Sequence, residues 1–468
     1  MDITLRFLGA ARNVTGSKIL VEAGDRRILI DYGMIQEWKL KERNWNPLPV
    51  PPSSVDAVLL THAHLDHCGL LPKLVTDGFG GVIHCTGATA ALARVVLLDS
   101  ARLQEEDVEF KKRRHTKEGR KSKNPVAPLY TEKDVKNALP LFRSHRYDDV
   151  VEVAEGIQAV FHDAGHILGS SMIELRIKHN GTQRTLLFSG DLGRANKPIL
   201  QDPEAAPQAD VVVIESTYGN RLHTDTGDVQ QLLADVVNDT RKRGGNVIIP
   251  SFAIGRSQEM LYHLAELMRE DKIPHLPVFV DSPMAISVTD IFEQFPELFD
   301  DEMRELLRTH ESPFEFDTLQ MSRTASQSKA INHIRGTAII IAGSGMCTGG
   351  RVKHHLVQNI ARPESTILFV GYQAEGTLGG EISRGGTAVR ILGQEYRVRA
   401  RVEQIHGFSA HADQKELQDW LTALPRPPRR VLVNHGDTEA ALELTKLIDD
   451  RPGWQATAPE LGDRIVLS

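Results

Sequence analysis

A chain of 468 residues, 41% of them hydrophobic, has the material for two or three domains with buried cores, which excludes a single small module. Its 55 Lys and Arg stand against 62 Asp and Glu, a net charge of −7, so it does not capture nucleic acid by bulk charge and any polyanion site must be a local patch. Cys68, Cys85 and Cys347 are too scattered for a disulfide framework or a cysteine-rich zinc site, and a reducing cytoplasm fits that usage.

The opening MDITLRFLGAARNVTGSKILVEAG reads as strand, glycine turn and strand, without the long apolar core of a signal peptide. Short strands follow in RRILIDYG, VDAVLLTHAH, GGVIHCTG, IQAVFHDAGH, MIELRIKHN and RTLLFSGDLG, interrupted by helical patterns at Gly69–Thr76 and Ala88–Phe110. That density of strands predicts sheets packed on one another with helices on their outer faces. No apolar run approaches the roughly 18 residues that span a bilayer, so a soluble protein without a membrane partner is expected.

Within this first part FKKRRHTKEGRKSKN at Phe110–Asn124 holds Glu118 as its sole acid among many cations. The favoured reading is a solvated helix end or surface insertion; the sharper one is a patch for phosphate backbones. From about Gly219 to Leu392 the texture changes to amphipathic helices alternating with buried strands: Val229–Arg243, NVIIPSF, Gln258–Glu270, PVFVDS, TAIIIAGSG and TILFVGY. Such alternation predicts a second domain on a parallel sheet. Arg397–Ile405 and RRVLVNHGD then return to strand-like runs beside further His and Asp residues, as expected if the second domain is inserted into the first.

The most informative stretch is His62-Ala63-His64-Leu65-Asp66-His67, which crowds metal-capable side chains at the end of the strand VDAVLL. Alternate positions of an extended segment face the same way, so His62 and His64 can grip one ion while Asp66 and His67, at the following turn, reach another. Further donors stand where apolar runs end in turns: His166 in FHDAGHILGS, Asp191 in LLFSGDLG and His435 in VLVNHGD. Imidazole and carboxylate donors without thiolate suit zinc first and manganese second, and two ions about 4 Å apart need a bridging carboxylate.

On these residues the chain resembles the metallo-β-lactamase superfamily. Within it, the chain is similar to the β-CASP RNA-processing nucleases, relatives of the mRNA 3′-end cleavage endonuclease and of RNase J. The resemblance implies an α/β fold: a metallo-β-lactamase αββα sandwich with an inserted β-CASP domain built on a parallel sheet. Residues 1–217 would form the first part of the sandwich, 218–392 the insertion and 393–468 the C-terminal part. The strings IIPSFAIGRSQE, VFVDSPMA and GYQAEGTLG carry the likeness through the insertion.

The resemblance also implies roles. One of two zincs per chain takes His62, His64 and His166, the other takes Asp66, His67 and His435, and Asp191 bridges them. Asp66 doubles as a catalytic residue, and Asp31 in DYG supports the ligand loop from behind. His411 in HGFSAHAD is the proton donor, with Glu215 in VVVIESTYG holding its ring. Ser344, Gly345 and Met346, in the glycine loop IIIAGSGMCTGGR before the helix VKHHLVQNI, are implied to contact substrate phosphate, as is Ser409. The implied activity is zinc-dependent hydrolysis of RNA phosphodiesters, endonucleolytic or from the 5′ end, by metal-activated hydroxide, leaving 5′-phosphate and 3′-hydroxyl.

Rivals are a DNA nuclease of the same group, against which His435 argues because the DNA-repair branch carries an apolar residue there, and an inactive RNA-binding scaffold, against which the filled ligand positions argue. Small-ester hydrolases that share HxHxDH lack the insertion and the His411 and His435 motifs. Flavodiiron relatives have a carboxylate where His64 stands. RNA is the expected partner, and a homodimer is compatible with the chain.

Overall fold

In the computed structural model the described residues are 3–118, 126–179, 181–223, 227–309 and 312–467. The chain divides into two compact units. Unit 1 comprises Met1–Asn196, Asp202–Leu222 and His411–Ser468; unit 2 comprises Lys197–Gln201 and His223–Ala410.

Unit 1 contains two seven-stranded sheets. In the first, the antiparallel strands Ile3–Gly9, Lys18–Ala23 and Arg26–Ile30 continue into the parallel strands Ala57–Leu59, Val82–Thr86 and Phe142–His145, and Arg464–Leu467 pairs with Ile3–Gly9 at the far edge. The second runs through Val151–Ala154, Ile157–Asp163, Ser171–His179 and Thr182–Phe188 to Val211–Ile214 and Arg430–Val433, the last three mutually parallel, and ends at Ala456–Thr457.

Period-two alternation in the sequence builds the layers. Leu186, Phe188, Val211, Val213 and Leu432 point into a core shared with Ile3, Leu5, Phe7, Ile28 and Leu59 of the first sheet. Their neighbours Leu187, Val212, Ile214, Val431 and Val433 point the other way, onto Leu417 and Leu421 of the helix Gln414–Thr422 and Leu444 and Ile448 of the helix Thr438–Asp449. A sheet buried on both faces therefore reads as a continuous apolar run. The helix Gly87–Glu118 lies against Val82–Thr86 and Phe142–His145 of the first sheet, and Glu132–Ala138 packs on that helix and on Leu71–Thr76, which completes an αββα sandwich.

The helix Gly87–Glu118 extends beyond the expected Ala88–Phe110, and the first half of the basic stretch forms its exposed end. Residues 119–124 of that stretch lie outside the described residues. No helix among the described residues is long and apolar enough to cross a membrane.

Unit 2 is built on a six-stranded, wholly parallel sheet in the order Leu319–Met321, Val278–Asp281, Ile339–Ala342, Val247–Pro250, Thr366–Phe369, Arg401–Gln404. Its helices start and stop on local chemistry. The side chain of Asp228 accepts the N–H groups of Gln230 and Gln231 to open Val229–Arg243, and Gly244, with φ +75°, closes it.

The expected return to the first domain at residue 393 is corrected. Arg401–Gln404 pairs in register with Thr366–Phe369, and that ladder satisfies its backbone groups inside unit 2. The hairpin Ala388–Ile391 with Gln394–Arg397 adds Val389 and Ile391 to the core of unit 2, so the unit extends to Ala410. Lys197–Gln201 also joins it: the N–H of Asp300 donates to Ile199 O at 2.9 Å, and Leu200 bridges Phe299.

Phe161 is fully buried at the centre of the inter-sheet core. Phe161→Ala is expected to cost unit 1 about 3–5 kcal/mol, read as a lower denaturant midpoint for the transition that reports unit 1. An unchanged midpoint would show that the two sheets do not depend on this contact.

Candidate metal centre

The functional side chains of unit 1 emerge where strands end. Asp31 follows Arg26–Ile30 and His62 follows Ala57–Leu59, on parallel neighbours of the first sheet. Asp191, Glu215 and His435 follow Thr182–Phe188, Val211–Ile214 and Arg430–Val433, parallel neighbours of the second. Parallel strands deliver their C-terminal ends to one edge, so five side chains distant in sequence arrive at one rim. His64 caps the short helix Leu65–Cys68, which carries Asp66 and His67. His166 comes from the loop after Ile157–Asp163, and His411 precedes the helix Gln414–Thr422.

Two groups converge with metal-ligand geometry: His62, His64, His166 and Asp191 form one, and Asp66, His67 and His435 the other. His62 Nε2 lies 3.0 Å from His64 Nδ1, and His64 Nδ1 lies 3.4 Å from His166 Nε2. His67 Nε2 lies 3.0 Å from His435 Nε2, which stands 3.6 Å from Asp66 Oδ2. Asp191 spans both groups, with Oδ2 3.5 Å from His62 Nε2 and 3.7 Å from His166 Nε2, and Oδ1 3.3 Å from His67 Nε2 and 3.4 Å from His435 Nδ1.

Imidazole lone pairs at such separations repel unless a proton or a cation stands between them. Asp191 Oδ1 is buried and without a hydrogen bond, the two nearby ring nitrogens lying outside hydrogen-bond geometry. An orphaned carboxylate oxygen costs free energy that a cation returns. The donor set therefore fits divalent metal: neutral nitrogen and anionic oxygen, no thiolate.

The electrostatics agree with the distances. Burial holds His62 well below the ordinary histidine range and brings His64 down to about 4, so both present uncharged nitrogens. Burial opposes charge on His67 and His435 too, but Asp191, with Asp31 at His67 and Asp66 at His435, raises both. Asp66 resists burial through its hydrogen bond to His435 and the charges of His67 and His435, and falls to about 2. The buried carboxylates call for positive charge, which a divalent metal would supply in place of those protons.

Behind the donors lies a hydrogen-bonded brace. Asp31 Oδ2 accepts from His67 Nδ1 at 2.7 Å and from the Ser17 hydroxyl at 3.1 Å, while Oδ1 accepts the N–H of Thr61 at 2.9 Å. Holding Nδ1–H in this way turns His67 Nε2 toward the cluster. The Thr61 hydroxyl also reaches His62 Nδ1 at 3.1 Å, and Thr217 Oγ1 lies 3.3 Å from His435 Nδ1. Asp31 and His435 hold left-handed backbone, φ +58° and +50°, a conformation that non-glycine residues adopt at a cost. Ser17, Thr61 and Thr217 were not singled out from the sequence. Thr61 directly precedes His62, but a hydroxyl residue at a strand end is too common to signal a brace.

Glu215 is buried; its Oε1 accepts the N–H of Leu192 at 2.6 Å and faces His411 Nδ1 at 3.3 Å. His411 Nδ1 also stands 3.9 Å from Asp191 Oδ2, and its ring centroid is 4.4 Å from that of His166. Burial disfavours the charged ring, yet Glu215 first, then Asp191 and Asp66, raise it to about 9. Glu215 and His411 thus meet at the rim of the cluster.

The remaining expected contacts lie in unit 2. Ser344, Gly345 and Met346 occupy the loop between Ile339–Ala342 and Val352–Asn359. The Ser344 hydroxyl is engaged inside that loop, 3.2 Å from Thr348 Oγ1 and accepting the N–H of Gly349 at 3.2 Å. A Cβ on Gly345 would meet the Phe252 ring at 2.7 Å, so a larger residue there would have to push that half-exposed ring aside. Among the described residues no backbone bond takes the N–H groups of Gly345 or Met346, whereas that of Ser344 donates to Gly349 O at 3.4 Å. Ser409 belongs to unit 2, two positions before His411.

Comparison with known proteins accords with this geometry. Residues 13–250 match the metallo-beta-lactamase superfamily model, 257–382 the Beta-Casp domain and 395–459 the Zn-dependent metallo-hydrolase RNA specificity domain. Ribonuclease TTHA0252 of Thermus thermophilus is 38% identical over 457 residues, 98% of each chain. The chain belongs to the β-CASP branch of the metallo-β-lactamase superfamily. Transcription termination factor FttA of Methanosarcina mazei is 32% identical over 95% of this chain and 69% of its own length. A crystal structure of a protein of unknown function from Enterococcus faecalis shares the fold at a TM-score of 0.56 and 11% identity, covering both chains completely. This β-CASP protein is accordingly a metal-dependent hydrolase.

Removing the brace tests the site without touching a donor. Asp31→Ala is expected to lower metal affinity about 10–100-fold, measured by competition with a chromophoric chelator. Gly33→Ala supplies a second probe: its Cβ would fall 1.6 Å from Asp66 O, so the ligand turn must shift and metal content should drop. Wild-type metal affinity in both variants would remove the argument for the brace.

Proposed function

We propose that the protein is a zinc-dependent ribonuclease that hydrolyses RNA phosphodiesters to 5′-phosphate and 3′-hydroxyl ends. His62, His64 and His166 would hold one zinc ion, Asp66, His67 and His435 a second, with Asp191 shared between them. Bound there, the two ions supply water of lowered pKa and positive charge against the phosphate.

The chain's own groups supply the rest. Water gives up a proton to solvent as it adds to phosphorus, the bond from phosphorus to O3′ breaks, and O3′ leaves with a proton from Nε2 of His411, which solvent then restores. Glu215 holds Nδ1 of that ring, which fixes the tautomer and favours the protonated donor. Deeper burial without a carboxylate partner would leave the ring neutral and unable to serve. The observation that carries the reading is this pair, His411 Nδ1 3.3 Å from Glu215 and 3.9 Å from the shared Asp191, at the edge of the donor cluster.

The preference for RNA rests on the RNA specificity match over 395–459, a segment that contains both His411 and His435, and on the ribonuclease at 38% identity. In unit 2 the N–H groups of Gly345 and Met346 are proposed to receive a substrate phosphate, as is Ser409. The closed Ser344 hydroxyl is better suited to shaping the loop than to touching substrate.

The test uses zinc-loaded protein with RNAs labelled at either end, carrying 5′-monophosphate or triphosphate, beside matched DNA. Cleavage should yield 5′-phosphate and 3′-hydroxyl, stop on chelation, return with zinc, and favour RNA; the labelled ends distinguish internal cutting from 5′ attack. His411→Ala is expected to lower kcat about 10²–10⁴-fold at unchanged metal content. Cyclic 2′,3′-phosphate products, chelator-resistant cleavage or equal turnover of DNA would refute the reading.

A further inference from the structure

Trp38 is the most exposed large apolar side chain among the described residues, at 74%, and Trp45, in the same segment, is 51% exposed. The other two tryptophans, Trp420 and Trp454, pack into or against the core of unit 1. Leaving two indoles in water forgoes a large burial gain, which calls for a use.

The segment is built rather than loose. Asn44 is buried and clasps Ile35 twice, accepting its N–H and donating to its carbonyl, each at 2.8 Å, which closes the loop Gln36–Arg43 at its neck. Thr15 Oγ1 accepts the N–H of Gln36 at 2.9 Å and donates to Glu37. The chain turns inside the loop, with Leu40 N–H on Glu37 O at 3.0 Å and Arg43 N–H on Leu40 O at 2.9 Å, and ends in the single turn Lys41–Trp45.

Its stem is fastened to the ligand turn. The N–H of Tyr32 donates to His67 O at 2.8 Å and that of Met34 to Leu65 O at 2.9 Å, with Gly33 pressed against Asp66. Trp38 lies four residues beyond Met34, at most about 14 Å of extended chain. Exposed cations interleave the indoles: Lys39, Lys41 and Arg43, with Lys39 Nζ 5.8 Å from the Trp38 ring centroid. Of the two acids in the segment, Glu37 is engaged by Thr15.

Aromatic faces beside cations form the arrangement that binds unpaired nucleic acid, bases stacking on rings while the cations meet flanking phosphates. We propose that Trp38 and Trp45, with Lys39, Lys41 and Arg43, form a stacking platform for unpaired bases of the RNA strand whose scissile phosphate occupies the metal centre. The proposal rests on the ribonuclease reading and adds to it where the strand lies on unit 1. It also answers the charge problem, since a chain of net charge −7 needs a local patch. Stacking reads no sequence, so the platform selects single-stranded over duplex RNA.

The experiment compares metal-loaded wild type, Trp38→Ala and Trp38→Phe on an unstructured oligoribonucleotide and on dimethyl phosphate or its activated methyl esters, small diesters with neither a base nor a strand extending beyond the scissile phosphate. Trp38→Ala is expected to raise KM for RNA about 5- to 100-fold with kcat changed less than about twofold. Trp38→Phe should recover most of the loss, and all three proteins should hydrolyse the small diester alike, which controls for folding and metal content. If wild type cleaves RNA and Trp38→Ala leaves KM unchanged, the platform alone is overturned; a dimer that becomes monomeric in Trp38→Ala at unchanged KM would mark the patch as a contact between copies of the chain. If wild type hydrolyses the small diester but no RNA, the platform falls together with the ribonuclease reading.

Discussion

The structure depends on negative charge held out of water. Asp31, Asp191 and Glu215 are buried at the rim of an apolar sandwich, with Asp66 beside them, and an isolated carboxylate in such surroundings is strongly disfavoured. Their ion pairs run to histidines, whose charge is conditional. A centre of this kind is balanced only when protons or metal ions complete it. That is why the rigid parts of unit 1, parallel strand ends and a brace of Ser17, Thr61 and Asp31, all converge on it.

The same rim explains a division of labour among chemically similar groups. His62 and His64 are kept neutral by burial and by the neighbouring charge of His67, whereas His411 is kept charged by the carboxylate of Glu215. The difference lies in the balance each ring meets: burial among other imidazoles outweighs Asp191 at His62 and His64, whereas Glu215 at 3.3 Å outweighs burial at His411. Neutral and charged rings thus separate within a few ångströms, without any difference of residue type.

Much of this was legible in the sequence because it is locally encoded. The HAHLDH run announces itself by contiguity, and His166, Asp191 and His435 each end an apolar run, the one-dimensional trace of a strand reaching a sheet edge. Helix Val229–Arg243 was bounded correctly since Asp228 and Gly244 mark its ends. The boundary at 392 misled because a strand's own residues do not say which sheet it joins; Arg401–Gln404 reads alike at the edge of either unit, and only its ladder with Thr366–Phe369 decides. The hydroxyl brace was invisible because Ser and Thr carry no periodic signature. Trp38 and Trp45 were passed over because composition counts tryptophans without revealing which of them remain in water.

The placement of the insertion governs when the centre comes into being. Six of the donors precede residue 192, but His435 follows the whole of the main body of unit 2, which spans His223–Ala410. During synthesis the ribosome releases the main body of that unit before the strand Arg430–Val433 and the His435 that follows it. If His435 completes the donor set, as proposed, a nascent chain would have no finished centre until the final stretch of polypeptide docks.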